Sequence, residues 1–73
     1  MKKYVVIDML KDGDWFENVF DTEEQAVRQA DKEWNHLTAF DKHRRLTFAV
    51  MVGELDKCEC LDFNTAEVVK SYK

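Results

Sequence analysis

Two glycines and two cysteines are all that this sequence of 73 residues contains of either kind. No apolar run reaches the length needed to cross a bilayer as a helix. Each scarcity excludes something. Without a Gly-rich stretch no loop is built to cradle a phosphate on its backbone amides, and so short a chain encloses no deep pocket, so the expectation is a protein that is not an enzyme. Cys58 and Cys60 stand one residue apart. That loop is too short to staple a small domain as secreted disulfide frameworks do, which points to a reducing compartment, the cytoplasm. Positive charge is also in the minority: 11 Lys and Arg face 15 Asp and Glu, for a formal net charge of -4. The chain as a whole therefore has no attraction for nucleic acid or an anionic membrane surface. The opening "MKKYVVIDMLKDGD" sets charge before a short apolar run, but Asp8 interrupts the run and no small-residue cleavage site follows, so it reads as a strand and not as a signal peptide.

What is present is a globular composition, with 45% hydrophobic and 36% charged residues, and residues 1–73 are read as a single domain. A chain of this length buries a small core, which only narrowly offsets the entropy of ordering it. Association of two chains is one of the few remaining ways to bury more apolar surface.

The chain divides by the period of its apolar residues. "KYVVIDML" and "WFENVF" are strand-like, and the "KDGD" between them makes a hairpin. Asp12-Gly13 fits the centre of a type I′ turn, which would pair Lys11 with Asp14. Within the first strand Val5, Ile7 and Met9 share one face, and Tyr4, Val6 and Leu10 share the other with Asp8. In the second, Phe16 and Phe20 lie on one side with Asn18, and Trp15 and Val19 on the other with Glu17. Both faces are largely apolar, so the second face is covered at least in part. From "FDTEEQAVRQADKEWNHL" the period becomes helical, with Val27, Ala30, Trp34 and Leu37 on one stripe, Ala26 beside it, and either Asp21 or Thr22 as cap. Thr38 caps a second short helix, "AFDKHRR", with Phe40 expected to turn inward. "LTFAVMVGEL" is a third strand, with Phe48, Val50 and Val52 opposite Thr47, Ala49 and Met51. "FNTAEVVKSYK" offers Asn64 as a cap, Glu67 at the third helical position, and a Phe63 to Val68 staple. A C-terminal helix is expected there, with a fourth strand through Val68-Val69 as the alternative.

Several groups could carry chemistry. Cys58, Cys60, His36 and His43 supply the atoms of a zinc site but not its spacing, and no cofactor or metal is expected. The histidines pair with carboxylates only by proximity in sequence: His36 with Asp31 or Glu33, His43 with Asp41. Lys42, His43, Arg44 and Arg45 gather at a helix end, where cations suit the exposed carbonyls. As a binding patch, Lys42, Arg44 and Arg45 could contact phosphates, though the acidic helix before them would repel a duplex. The apolar surplus on the strands is the more informative feature. Trp15, Val6, Val19 and Met51, or their counterparts on the opposite face, are candidates for an exposed association surface.

"YVVID" followed by a "DG" turn, a strand and "D-T-x-E-x-A" at a helix start is similar to the N-terminal domain of HicB-type antitoxins over about the first half of the chain. The sequence departs from that pattern in having only two strands before the helix and in carrying "HLTAFDKHRR", so no functional residue is carried over. The expected fold is α+β, a two-layer domain of order ββααβα with an antiparallel sheet of three strands and the helices on one face. The expected function is a non-catalytic protein-interaction module, a homodimer associating through an apolar sheet face or strand edge. The alternative is a small nucleic-acid-associated regulator using Lys42, Arg44 and Arg45.

Overall fold

The computed structural model of the chain describes residues 2–73. Its elements are β1 (Lys2–Leu10), β2 (Trp15–Phe20), α1 (Glu23–His36), α2 (Ala39–Arg44), β3 (Arg45–Glu54) and β4 (Glu67–Ser71). The strands form one antiparallel sheet in the order β2-β1-β3-β4, which leaves β2 and β4 at its edges. The class is the expected α+β, but the sheet has four strands and the order is ββααββ. The residues expected to form a C-terminal helix are extended instead. Around Asn64 the cap-like residues build a turn: the Asn64 amide donates to Asp62 Oδ1 at 3.0 Å and the Thr65 amide to the Asp62 carbonyl at 3.1 Å. Beyond that turn Glu67 and Val68 pair with Val52 and Met51, so ladder hydrogen bonds to β3 override the local helix signal.

The hairpin between β1 and β2 forms where expected but turns differently. Gly13 donates to the Leu10 carbonyl at 3.1 Å, and Leu10 donates to the Asp14 carbonyl at 2.8 Å. Gly13 has φ of 102°, and Asp12 is not left-handed. This is a three-residue loop, a turn ending in a left-handed glycine, and not the two-residue type I′ turn, which needs positive φ at both centres. The register consequently sets Met9 opposite Trp15 and Val5 opposite Val19. Trp15, Glu17 and Val19 therefore share a face with Val5, Ile7 and Met9, and Phe16, Asn18 and Phe20 lie with Tyr4, Val6 and Asp8.

The two faces are closed by different means. On one, α1 packs Ala26 and Ala30 onto Val6, Phe48 and Val50, with Tyr4, Phe20, Val27, Trp34, Val69 and Tyr72 around them. Thr22 is the cap of α1, accepting from the Gln25 amide at 3.2 Å. On the other face Val5 and Ile7 lie under Leu61, with Met51, Leu55 and Ala66 beside them, so the cover is the β3–β4 connection. That connection doubles back with Leu55 opposite Leu61. Asp56 holds its tip by accepting from the amides of Cys58 at 2.8 Å and Cys60 at 3.0 Å.

The short α2 has the capping box between Thr38 and Asp41 that its sequence announces. Phe40, expected to turn inward, is 68% exposed. Lys42 takes the inward direction, its ammonium 5.1 Å from the Trp34 ring centre, and a residue two positions away on a helix points about 200° around the axis. Asp8, which breaks the apolar run of β1, is matched by Arg45, whose guanidinium donates to both carboxylate oxygens at 3.1 and 3.3 Å and to the Asp41 carbonyl at 3.0 Å.

The connection approaches the sheet closely at Gly53: a Cβ there would lie 3.0 Å from the Ala66 Cα, 3.1 Å from Leu61 Cδ1 and 3.2 Å from the Ala66 Cβ. Gly53→Ala is expected to lower stability by about 1–3 kcal/mol in urea unfolding, because backbone must move to admit the methyl. An unchanged midpoint would show that Ala66 and Leu61 give way to the methyl.

Candidate functional site

Four exposed large apolar side chains lie on or beside β2, while Phe40, Leu46 and Val68 are exposed elsewhere, on α2, β3 and β4. Trp15 is 47% exposed, Phe16 55% and Val19 43%, and Phe63 on the β3–β4 connection is 46% exposed. Trp15 and Phe63 meet edge to face with ring centres 5.5 Å apart. Together with Glu17, Asp56, Cys60 and Leu61 they line an open depression of about 490 Å³. Glu17 closes its inner wall by accepting from the Leu61 amide at 3.4 Å. A second depression of about 420 Å³ lies on the opposite face, between β2 and α1, lined by Val19, Phe20, Asp21, Gln25, Arg28, Gln29 and Lys32.

Of the residues expected on an association surface, Trp15, Val19 and Met51 lie on the face that the connection partly covers, with Trp15 and Val19 exposed and Met51 half-buried. Val6 belongs to the other face and is 1% exposed beneath α1, so it is not part of this surface. The reason is the strand period: Val5 and Val6 point to opposite sides, and only the turn length decides which of them accompanies Trp15. Phe16 belongs to the opposite-face counterparts offered as the alternative, and Phe63 lies outside both sets. A three-residue count for the "KDG" turn is the signal that places Phe16, whereas Phe63 depends on a long-range fold of the connection.

The basic run is engaged within the fold. Lys42 lies over Trp34, Arg44 pairs with Asp12 at 3.5 Å, and Arg45 is held by Asp8. The Lys73 ammonium donates to the carbonyls of Lys42 at 2.8 Å and His43 at 3.2 Å, completing the end of α2. His36 Nδ1 lies 2.7 Å from the Lys32 carbonyl at the end of α1. Cys58 and Cys60 are exposed free thiols. Desolvation by neighbouring groups, then the charges of Asp56, Glu17 and Cys58, push the Cys60 thiol above its ordinary value, which favours the less reactive protonated form. Among the described residues no three His, Cys, Asp or Glu side chains come together as a metal site. Among these residues, too, no helix is long and apolar enough to cross a membrane.

One cluster of titratable groups ties β4 to α1. Asp31 accepts from the Tyr72 hydroxyl and from the Lys70 ammonium, the latter at 2.9 Å, and Lys70 also lies 4.8 Å from the Tyr72 ring centre. The Tyr72 ring packs in turn on Trp34 and Phe48, with centres 5.8 and 5.4 Å away. The Tyr72 hydrogen bond, then that of Lys70, holds the Asp31 carboxyl below its ordinary value. The Asp31 bond raises Lys70, and burial followed by the Asp31 bond raises Tyr72. Every group is thereby kept in its neutral-pH form, which is what a structural clasp requires and not what a proton-transfer site requires.

Comparison with known proteins returned no matching family model, no similar curated protein and no similar solved structure.

The clasp predicts a pH dependence. Asp31 is depressed, so its contribution is present above the ordinary carboxylate range and lost as pH falls through the lowered value. Lys70 and Tyr72 are raised, so theirs are present through neutral pH and lost as pH rises past their raised values. The Tm difference between wild type and Asp31→Asn is therefore expected to be greatest near neutral pH and to shrink toward both extremes. A difference that stays constant with pH would show that the carboxylate charge at Asp31 does not contribute.

Proposed function

We propose that the chain is a non-catalytic protein-interaction module that self-associates through the apolar corner around β2, in a reducing compartment where Cys58 and Cys60 remain thiols. The observation that supports this reading is the exposure of Trp15, Phe16 and Val19 on one edge strand, with Phe63 beside them. Trp15 and Val19 expose one face of that strand and Phe16 the other, and exposed aromatic and aliphatic groups are the usual anchors of protein interfaces. A polar rim surrounds them in Glu17, Asp56 and Asp21, as at other interfaces.

The test is the solution mass of the wild type and of Trp15→Glu by light scattering at micromolar concentration. Wild type is expected at twice the chain mass. Trp15→Glu is expected at the chain mass with an unchanged circular dichroism spectrum. A monomeric wild type, or a variant that keeps the doubled mass, would overturn the proposal.

A further inference from the structure

Resting on that reading, we infer that two copies join edge to edge through β2, antiparallel and centred on Asn18, making one sheet of eight strands, four from each copy. The alternation of the ladder shows which groups are free. Leu10 donates to the Asp14 carbonyl, so Asp14, Phe16, Asn18 and Phe20 turn their backbone groups toward β1. Trp15, Glu17 and Val19 turn theirs outward, where no hydrogen bond meets them among the described residues. Edge strands are ordinarily guarded by lysine, proline or a bulge, and β2 carries none of these. β4 is guarded, with Glu67, Lys70 and a register shift between Val50 and Met51 in its ladder.

A two-fold axis normal to the sheet keeps like faces together, and two of the registers it permits centre on the middle of β2. Centring on Glu17 would set Glu17 against Glu17 of the second copy, like charges directly opposed. Centring on Asn18 sets Glu17 against Val19 and Phe16 against Phe20, each twice. The second arrangement also has a place for Phe16, the most exposed apolar side chain of β2. Phe20 lines the depression between β2 and α1, and the Phe16 of the second copy, standing opposite Phe20 on the helix face, enters it. Filler and cavity belong to the same strand, so β2 is complementary to itself, and this selects a second copy of this chain as the occupant. Trp15 falls opposite Asp21 of the second copy, so a carboxylate at position 15 would face another.

The experiment uses full-length protein with Cys58→Ser and Cys60→Ser, adding Asn18→Cys or Glu17→Cys, with oxidised glutathione as the oxidant. Two protons and two electrons leave the paired thiols, and glutathione disulfide is reduced to two thiols. In the proposed register position 18 faces itself as a non-hydrogen-bonded pair with Cα atoms about 4.5 Å apart, within disulfide reach, whereas position 17 meets itself only diagonally at about 7–8 Å. Asn18→Cys is expected to form covalent dimer roughly tenfold faster than Glu17→Cys. A protein of dimeric mass in which Glu17→Cys links faster, or neither links, would overturn the pairing and leave self-association standing. A monomeric mass would overturn both. Val19→Pro removes one outward donor per copy without touching the β1 ladder. It is expected to keep the spectrum of the fold while weakening the dimer by about tenfold to a hundredfold, and an undiminished dimer would count against the edge contact.

Discussion

Everything distinctive about this domain depends on the three-residue loop at Lys11–Gly13. Because side chains alternate along a strand, a loop one residue shorter would turn β2 over with respect to β1, sending Trp15 and Val19 under α1 and Phe16 and Phe20 toward the β3–β4 connection. As built, Phe20 reaches the core beneath α1 and Trp15 meets Phe63. The left-handed Gly13 is what permits it, since a side chain there would be strained whatever the space around it. The position of the exposed corner, and the set of backbone groups that β2 presents outward, both follow from that turn.

The rest of the molecule is arranged to cover a sheet that is apolar on both sides. One side has a helix whose small residues, Ala26 and Ala30, allow close approach to Val6 and Phe48. The other has only a connection, and a connection without a helix covers less: Leu61 and Ala66 reach Val5, Ile7 and the floor at Gly53, but the row ending at Trp15 and Val19 extends past them. Charged groups are used where the sheet must be closed without more apolar material. Arg45 satisfies Asp8 inside the sheet's rim, and Asp31 fastens β4 through Tyr72 and Lys70. These pairs engage Arg45 and Asp31, two of the charged groups that the chain offered as candidates for chemistry.

Local features of this fold were legible in the sequence because their causes are local. The Thr38 capping box, the helical stripe through Ala26, Ala30 and Trp34, and the alternation in β1 and β3 each depend on residues within a few positions of one another. The misreadings share a different cause. The Asp12-Gly13 pair satisfies either of two turns, and the choice between them is made by packing across the whole hairpin. Asn64 and Glu67 have the spacing of a helix start, but Val68 gains more from the free edge of β3 than from a helix only a few residues long. Phe40 was placed by hydrophobicity, while Lys42 was drawn inward by Trp34. The exposure of Trp15 and Val19 is legible in the surplus of apolar groups, whereas Val6 is not separable from Val5 along the chain and Phe63 is visible only in three dimensions.

The pairing of β2 is tested most directly by amide hydrogen exchange followed residue by residue as the protein is diluted. Phe16 and Asn18 donate to β1 within one copy, and their exchange should stay slow at every concentration. Glu17 and Val19 donate outward, and should be protected in concentrated solution and exchange freely when dilute. Equal, rapid exchange of Glu17 and Val19 at all concentrations would contradict the edge-to-edge assembly.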